Sequence, residues 1–239
     1  MDTRGLEKIL PIYQQKFNFQ GEQNLVKRNG LWGYIDSTGT EVIAPQYQEA
    51  RYFSEGVAQV KRNDLWGFID STGKTVIPCQ YDYVRDFFNG MAAVQKDSLW
   101  GYIDSTGKLI IAPQFQNVRS FFEGKAAVQK DSLWGYIDLN GKLIVAPKFE
   151  NAYEFFNGKA HVQMDSLWGI IDSTGKLVIQ PQYQFIQFLN GNLYLVSQND
   201  LRWIIYRESK KTIMPAQYQY IFSLNKNFFQ IKNNNLIGI

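Results

Sequence analysis

The chain has 239 residues, 45% apolar and 15% aromatic, which is too rich for a disordered segment and ample for a packed core. Its net charge of +3 comes from basic residues spread along the sequence, so no concentrated Lys/Arg footprint marks a nucleic-acid partner. The single cysteine, Cys79, excludes an internal disulfide, and no apolar run approaches the roughly 18 residues of a membrane-crossing helix.

The first ten residues, MDTRGLEKIL, lack the apolar centre of a signal peptide, so no leader is expected here, and the lone cysteine favours a reducing compartment such as the cytoplasm. Pro11 and Val26 then stand one period of 34 residues before Pro45 and Val60. The same period governs five Trp-Gly pairs, at Trp32-Gly33, Trp66-Gly67, Trp100-Gly101, Trp134-Gly135 and Trp168-Gly169. Beyond Asn199 the pattern frays. Leu201 keeps its place, but Arg202 stands where Trp belongs and Trp203 where Gly belongs. One extra residue near Ala216 shifts the phase, after which Leu236-Ile237-Gly238 echoes Leu-Trp-Gly. A fixed period of this size marks an array, and seven units account for residues 1–239 as one domain.

Within one unit, Leu99 to Ser132, strand residues alternate with turn residues. Leu99 to Asp104 and Lys108 to Ala112 flank Ser105-Thr106-Gly107, which predicts a hairpin. Pro113 then stops the strand or confines it to an edge, because it offers no N–H to a ladder. Phe115 to Phe121 and Lys125 to Lys130 predict a second hairpin around Phe122-Glu123-Gly124, and Lys130-Asp131-Ser132 leads to the next Leu-Trp-Gly. Alternation puts Trp100 and Tyr102 on one face, Leu99 and Ile103 on the other. Both faces are apolar, so each unit must be covered by neighbours. Trp32, Trp66, Trp100, Trp134 and Trp168 are therefore expected to be structural and buried between units. Gly101 leaves room for a ring or backbone to approach.

The chain starts and stops halfway through a unit, and Lys8 to Leu10 with Leu236 to Ile239 would complete one hairpin. The expectation is an all-β array of seven antiparallel units forming a propeller-like toroid closed by both termini. The alternative is an open β-solenoid whose degenerate end units act as caps.

Trp-Gly, Ile-Asp, Thr/Asn-Gly-Lys, Pro and Gly-x-Ala-x-Val at one period resemble the WG repeat family, a bacterial tandem β-repeat. The resemblance is strong from Trp32 through Tyr183 and weak before Gly30 and after Asn199. It implies repeat modules that bind or scaffold other molecules, and it offers no catalytic residues or cofactor to carry over.

The chemistry agrees with that implication. His161 is the only histidine, so a His-dependent triad or a His-rich metal site is not expected. Cys79 stands in the place of Pro45, Pro113, Pro147 and Pro181. Asp36, Asp70, Asp104, Asp138 and Asp172 form a ladder better suited to turn hydrogen bonding than to calcium, since no second acid stands beside them. Arg28, Arg62, Lys96 and Lys130 fit solvated turns. Positions that recognise one asymmetric partner should differ between units, and the segments after each Pro-Gln-Tyr/Phe differ most. Arg51, Arg85, Arg119, Tyr153 and Phe185 in those segments are the expected partner-binding stripe. The competing reading pairs the arginines with acids such as Glu49 and Asp86. No enzyme, metal or cofactor is expected. The expected partner is another protein, the alternative a glycan bound once per unit, with nucleic acid a distant third.

Overall fold

The computed structural model describes residues 15–16, 23–189, 193–206, 212–218, 220–223, 229–233 and 236–238, and every element among them is a β-strand. These strands form seven antiparallel sheets of three or four strands, in keeping with the expected all-β array of seven units. The segment Lys8 to Leu10, on which the joining of the termini depends, lies outside the described residues. The chain divides into two compact units, 1–121 and 122–239.

In the first unit the sheets comprise residues 15–47, 49–81 and 83–115. In the second, residues 151–183, 185–218 and 220–238 form three sheets, preceded by the strands Lys125–Lys130, Leu133–Asp138 and Leu143–Phe149. The sheet of residues 83–115 shows the common plan. Its strands, Tyr83–Val84, Met91–Lys96, Leu99–Asp104 and Leu109–Phe115, lie side by side in sequence order.

This phase corrects the sequence reading, because a unit begun at Leu99 cuts each sheet through its middle. The residues read as a link between units form a tight hairpin turn. Lys96 pairs with Leu99, and Asp97 and Ser98 between them take φ of 52° and 66°. Two successive positive φ values define the turn whose twist matches a right-twisted hairpin. Asn63-Asp64, Asp131-Ser132 and Asp165-Ser166 repeat it. The arm expected over Phe115 to Phe121 is also broken. Phe115 ends one strand by pairing with Trp100, and the next strand is only Asn117–Val118.

Pro113 does not stop its strand; it sits in a bulge on an edge. Trp100 pairs with Phe115 and Tyr102 with Ile111, so the fourth strand carries surplus residues there. The bulged backbone folds over Gly101, where a Cβ would collide with the Ile111 carbonyl and lie 2.7 Å from the Pro113 nitrogen. At Gly67, Gly135 and Gly169 a Cβ would lie 2.5, 2.5 and 2.6 Å from the carbonyl oxygens of Ile77, Val145 and Ile179. Real Cβ atoms do not come so close. Each glycine of the pair is thus required by the backbone of its own sheet.

Successive sheets pack face to face. Trp66, Phe68, Ile77 and Tyr81 meet Val84, Phe87, Ala92, Val94 and Ile103 in the first unit. Tyr136, Val145 and Phe149 meet Ala152, Phe155, Val162 and Ile171 in the second. Tyr34, Tyr102 and Tyr136 are fully buried, as are Phe68, Phe149 and Phe155. Trp66 and Trp134 are buried, whereas Trp32, Trp100 and Trp168 are only half-buried. The tyrosines also reach further. Tyr34 donates to the Arg51 carbonyl (2.7 Å), Tyr102 to that of Arg119 (2.6 Å) and Tyr136 to that of Tyr153 (2.7 Å). Burial raises the pKa of Tyr34 and Tyr102, which keeps both hydroxyls protonated as donors.

Candidate interaction surface

The divergent segments separate into positions with distinct duties. Their first residue is structural. Gln48, Asp82, Glu150 and Gln184 accept from the hairpin-turn N–H groups of Asp64 (2.8 Å), Asp97 (2.7 Å), Ser166 (2.9 Å) and Asn199 (2.8 Å). The constant polarity of that position was the signal that sequence reasoning passed over. The third residue, as in Val84, Val118, Ala152 and Ile186, is buried in the core.

The fourth residue lies over the tryptophan of its own sheet. The Arg51 guanidinium stands 5.2 Å from the Trp66 ring and that of Arg85 4.7 Å from Trp100. Tyr153 stacks on Trp168 at 5.3 Å with an interplanar angle of 27°. Arg119 holds the same position and is half-buried. Phe185 does not belong to this row. It comes two residues earlier in its segment, and its ring lies 5.8 Å from the guanidinium of Arg202, the residue that replaces tryptophan in that repeat. Four of the five expected stripe residues therefore occupy equivalent places, and one does not.

The arginines are not alike in what they bond. Arg85 donates to the Val118 carbonyl (2.7 Å) and to Asn117 Oδ1 (3.2 Å), tying its sheet to the following strand. In the preceding repeat Tyr83 stands where Asn117 would be, and the exposed Arg51 guanidinium makes no hydrogen bond among the described residues. The expected acids are engaged elsewhere. Glu49 pairs with Lys61 at 3.0 Å, and Asp86 accepts from Gln59 Nε2 at 2.5 Å.

The remaining candidates carry structural duties. Arg28 pairs with Glu41, and Arg62 stands 5.1 Å from the Tyr47 ring. His161 packs 6.2 Å from Tyr194, and burial lowers its pKa, favouring the neutral ring. Cys79 is half-buried with Sγ 3.6 Å from the Val60 carbonyl, and burial pushes its thiol up. The aspartate ladder does turn chemistry. Asp104 Oδ1 accepts from the N–H and hydroxyl of Thr106 (2.9 and 2.6 Å) and from the Lys108 N–H (3.0 Å). No group of three or more His, Cys, Asp or Glu among the described residues is arranged to hold a metal ion.

Sequence reasoning missed two features. Exposed rings extend beyond the expected stripe, with Tyr83 at 55% and Phe156 at 62% exposure and Tyr52 and Phe88 also open. Glutamates at one repeat position also clip successive turns. Glu55 accepts from the N–H groups of Asn89 and Gly90, and Glu123 from those of Asn157 and Gly158. The alternation of Glu55, Asn89, Glu123 and Asn157 at the 34-residue spacing was a legible hint.

The family model for the WG containing repeat matches residues 32–66, 66–100, 100–134, 134–168, 168–201 and 206–236. The chain belongs to the WG repeat family. A search of the curated proteins finds no match. Among solved structures, the chain is similar to Kluyveromyces lactis Hsv2, with 10% identity over 94% of this chain and 86% of that one and a TM-score of 0.45. It is also similar to the AfRom2 CNH domain, with 8% identity, coverage of 93% and 91% and a TM-score of 0.41. The extracellular domain of a putative one component system from B. thetaiotaomicron gives 9% identity over 92% of this chain and 39% of that one, with a TM-score of 0.37. No helix among the described residues is long and apolar enough to cross a membrane.

Proposed function

We propose that this WG repeat chain is a non-catalytic scaffold that binds another protein through the exposed residues of the divergent segments. The observation that carries the reading is the contrast within each segment. Its first and third positions hold turn and core, while Tyr83, Tyr153 and Phe185 at other positions differ from repeat to repeat and face solvent. Exposed tyrosine and phenylalanine on a rigid frame give large contact area at low entropy cost. Arg85 and Arg119 serve as covers for the frame on this reading.

The test is cross-linking with mass spectrometry, comparing the wild type with the double variant Tyr83→Ser, Tyr153→Ser. A partner captured by the first and lost by the second, with the second still folded by circular dichroism, supports the proposal. Retained capture by the double variant argues against it, as does any turnover abolished by one or two substitutions. The glycan alternative requires equivalent open aromatic faces in every repeat. The cations over Trp32, Trp66 and Trp100 and the ring over Trp168 weigh against it, and a glycan array separates the two readings.

A further inference from the structure

Trp32, Trp66 and Trp100 hold the same place in the three successive sheets of the first unit, and each has a cation over its ring. The Lys27 ammonium stands 5.2 Å from Trp32. Trp66 has two, the Arg51 guanidinium at 5.2 Å and the Lys61 ammonium at 5.9 Å. Arg85 lies 4.7 Å from Trp100 and bonds the neutral oxygens of Val118 and Asn117. Lys61 pairs with Glu49, whereas Lys27 and Arg51 have no carboxylate partner among the described residues.

The second unit does without these charges. The 34-residue spacing puts Gln129, Gln163 and Ser197 where Lys27 and Lys61 stand, and Tyr153 and Gln187 where Arg51 and Arg85 stand. The fold therefore does not require a cation at either position, yet the first unit offers a row of them. The row also has a pitch. Tyr34 and Tyr47 of the first sheet pack on Ala58 and Val60 of the second. Phe68 and Tyr81 of the second sheet pack on Val84 and Val94 of the third. Sheets packed in this way stand roughly 10 Å apart, and the cations recur at about that interval.

We propose that this row binds an acidic segment of a partner protein in polyproline II conformation, an inference that rests on the protein-binding reading above. In that conformation every third residue returns to the same side after an advance of about 9 Å. One acid in three thus meets Lys27, then Arg51 with Lys61, then Arg85. A β-strand fits poorly, because its same-side residues recur at roughly 7 Å. A single carboxylate gains little from one exposed cation in water, so three linked contacts favour a chain over a small acid. Glu49, paired with Lys61, and Asp86, beside Arg51, are both exposed and would repel a nucleic-acid strand, which is charged every roughly 3.4 Å. The uncharged residues between the acids of a peptide tolerate them. Tyr83, 55% exposed, offers those residues a flat apolar face.

The probe is acetyl-Glu-Pro-Pro-Glu-Pro-Pro-Glu-amide, compared by calorimetric titration at low salt with its isomer acetyl-Pro-Pro-Glu-Glu-Glu-Pro-Pro-amide. The two carry equal charge, and the spaced peptide is expected to bind about tenfold tighter. The double variant Lys27→Gln, Arg51→Gln, folded by circular dichroism, should bind both equally. Lys27→Arg, Arg51→Lys, which keeps the charges, should keep the preference. Equal binding of the two peptides to the wild type, or no binding of either, would overturn the proposal. So would a preference that survives Lys27→Gln, Arg51→Gln. Acetyl-Glu-amide or a thymidine tetranucleotide binding as tightly as the spaced peptide would also overturn it, making the row a site for small acids or for nucleic acid. A cross-linked partner lost in Tyr83→Ser, Tyr153→Ser but retained in Lys27→Gln, Arg51→Gln would leave the scaffold reading standing and remove the row from it.

Discussion

Trp100 in the first unit and Trp168 in the second hold the same repeat position, and both rings are half-buried. Trp100 lies under Arg85, whose guanidinium also bonds the Val118 carbonyl, whereas Trp168 lies under the flat ring of Tyr153. A planar cation and a planar aromatic ring do the same work here, because each offers a flat face to an indole that its sheet leaves partly open. What recurs is the need for a cover. Its chemistry is free to change from repeat to repeat while the inward contact stays constant. Arg51 shows the next step, where the cover remains over Trp66 but the bond to the following strand is gone.

The comparison implies that the Trp-Gly pair endures for the sake of its glycine as much as its indole, and the largest expected effect tests that. Gly101→Ala places a Cβ into the Ile111 carbonyl, and the bulge must open to admit it. We expect a loss of more than about 4 kcal/mol, at the extreme of single substitutions. The control is Gly90→Ala, where φ is +72° but nothing lies within 4 Å, so only left-handed strain applies, about 1 kcal/mol. Urea titrations measure both. Similar costs at the two sites would mean that the close approach of the fourth strand does not restrict the position.

Next in size are the tryptophans themselves. Trp134→Ala removes a ring that is 8% exposed and should cost roughly 3–5 kcal/mol. Trp100→Ala removes a half-buried ring and should cost less, with part of the loss arising because Arg85 loses the surface it rests on. An equal or larger cost at Trp100 would show that the cover carries more of the packing than its partial exposure implies.

Smaller effects address the interchangeability of covers. Tyr153→Arg exchanges one cover for the other and should change stability by no more than about 0.5 kcal/mol. Arg85→Leu keeps apolar contact but strands the Val118 carbonyl, which should cost about 1–2 kcal/mol. Thermal melts of the two variants decide the matter. A loss above about 2 kcal/mol in Tyr153→Arg would show that the second unit requires an aromatic ring there, and the equivalence of covers would fail.

Much of this arrangement was legible in the sequence, for physical reasons. The period exposed the array, and period-2 alternation around Tyr102 and Ile103 showed that both faces of a sheet are buried. The sheet boundary was not legible in the same way. Asp97-Ser98 lacks the glycine that usually marks a two-residue hairpin, so its left-handed backbone was hidden, and Asp104 to Gly107 looked like the stronger turn. The bulge at Pro113 was half legible, since proline pointed to an edge but not to the surplus residues that cover Gly101. The candidate surface was read as one stripe because variability between repeats was visible, while the direction of each side chain was not. Phe185 differs from its counterparts as Tyr153 does from its own, yet it lies two residues away from the row.

The smallest effect concerns the turns that hold the covers in register, and it depends on pH. The carboxyl groups of Asp36, Asp70, Asp104 and Asp172 are held below the usual carboxylate range, chiefly by the hydroxyls of Thr38, Thr72, Thr106 and Thr174. A carboxylate whose folded pKa lies below its unfolded value, about 3.9 for aspartate, stabilises the fold at pH values above that range. That contribution is lost as pH falls through the folded pKa, so these turns weaken together in acid and are insensitive to pH near neutrality. Thr106→Ala removes the leading cause at one turn only. Carboxyl carbon NMR should then show Asp104 titrating closer to the ordinary range, with Asp36, Asp70 and Asp172 unmoved. In the repeat where Asn140 replaces the threonine, Asp138 accepts only from backbone N–H groups, those of Asn140 and Lys142. If Thr106→Ala leaves Asp104 where it was, the backbone N–H groups are sufficient, and the hydroxyl has no part in the shared geometry of these turns.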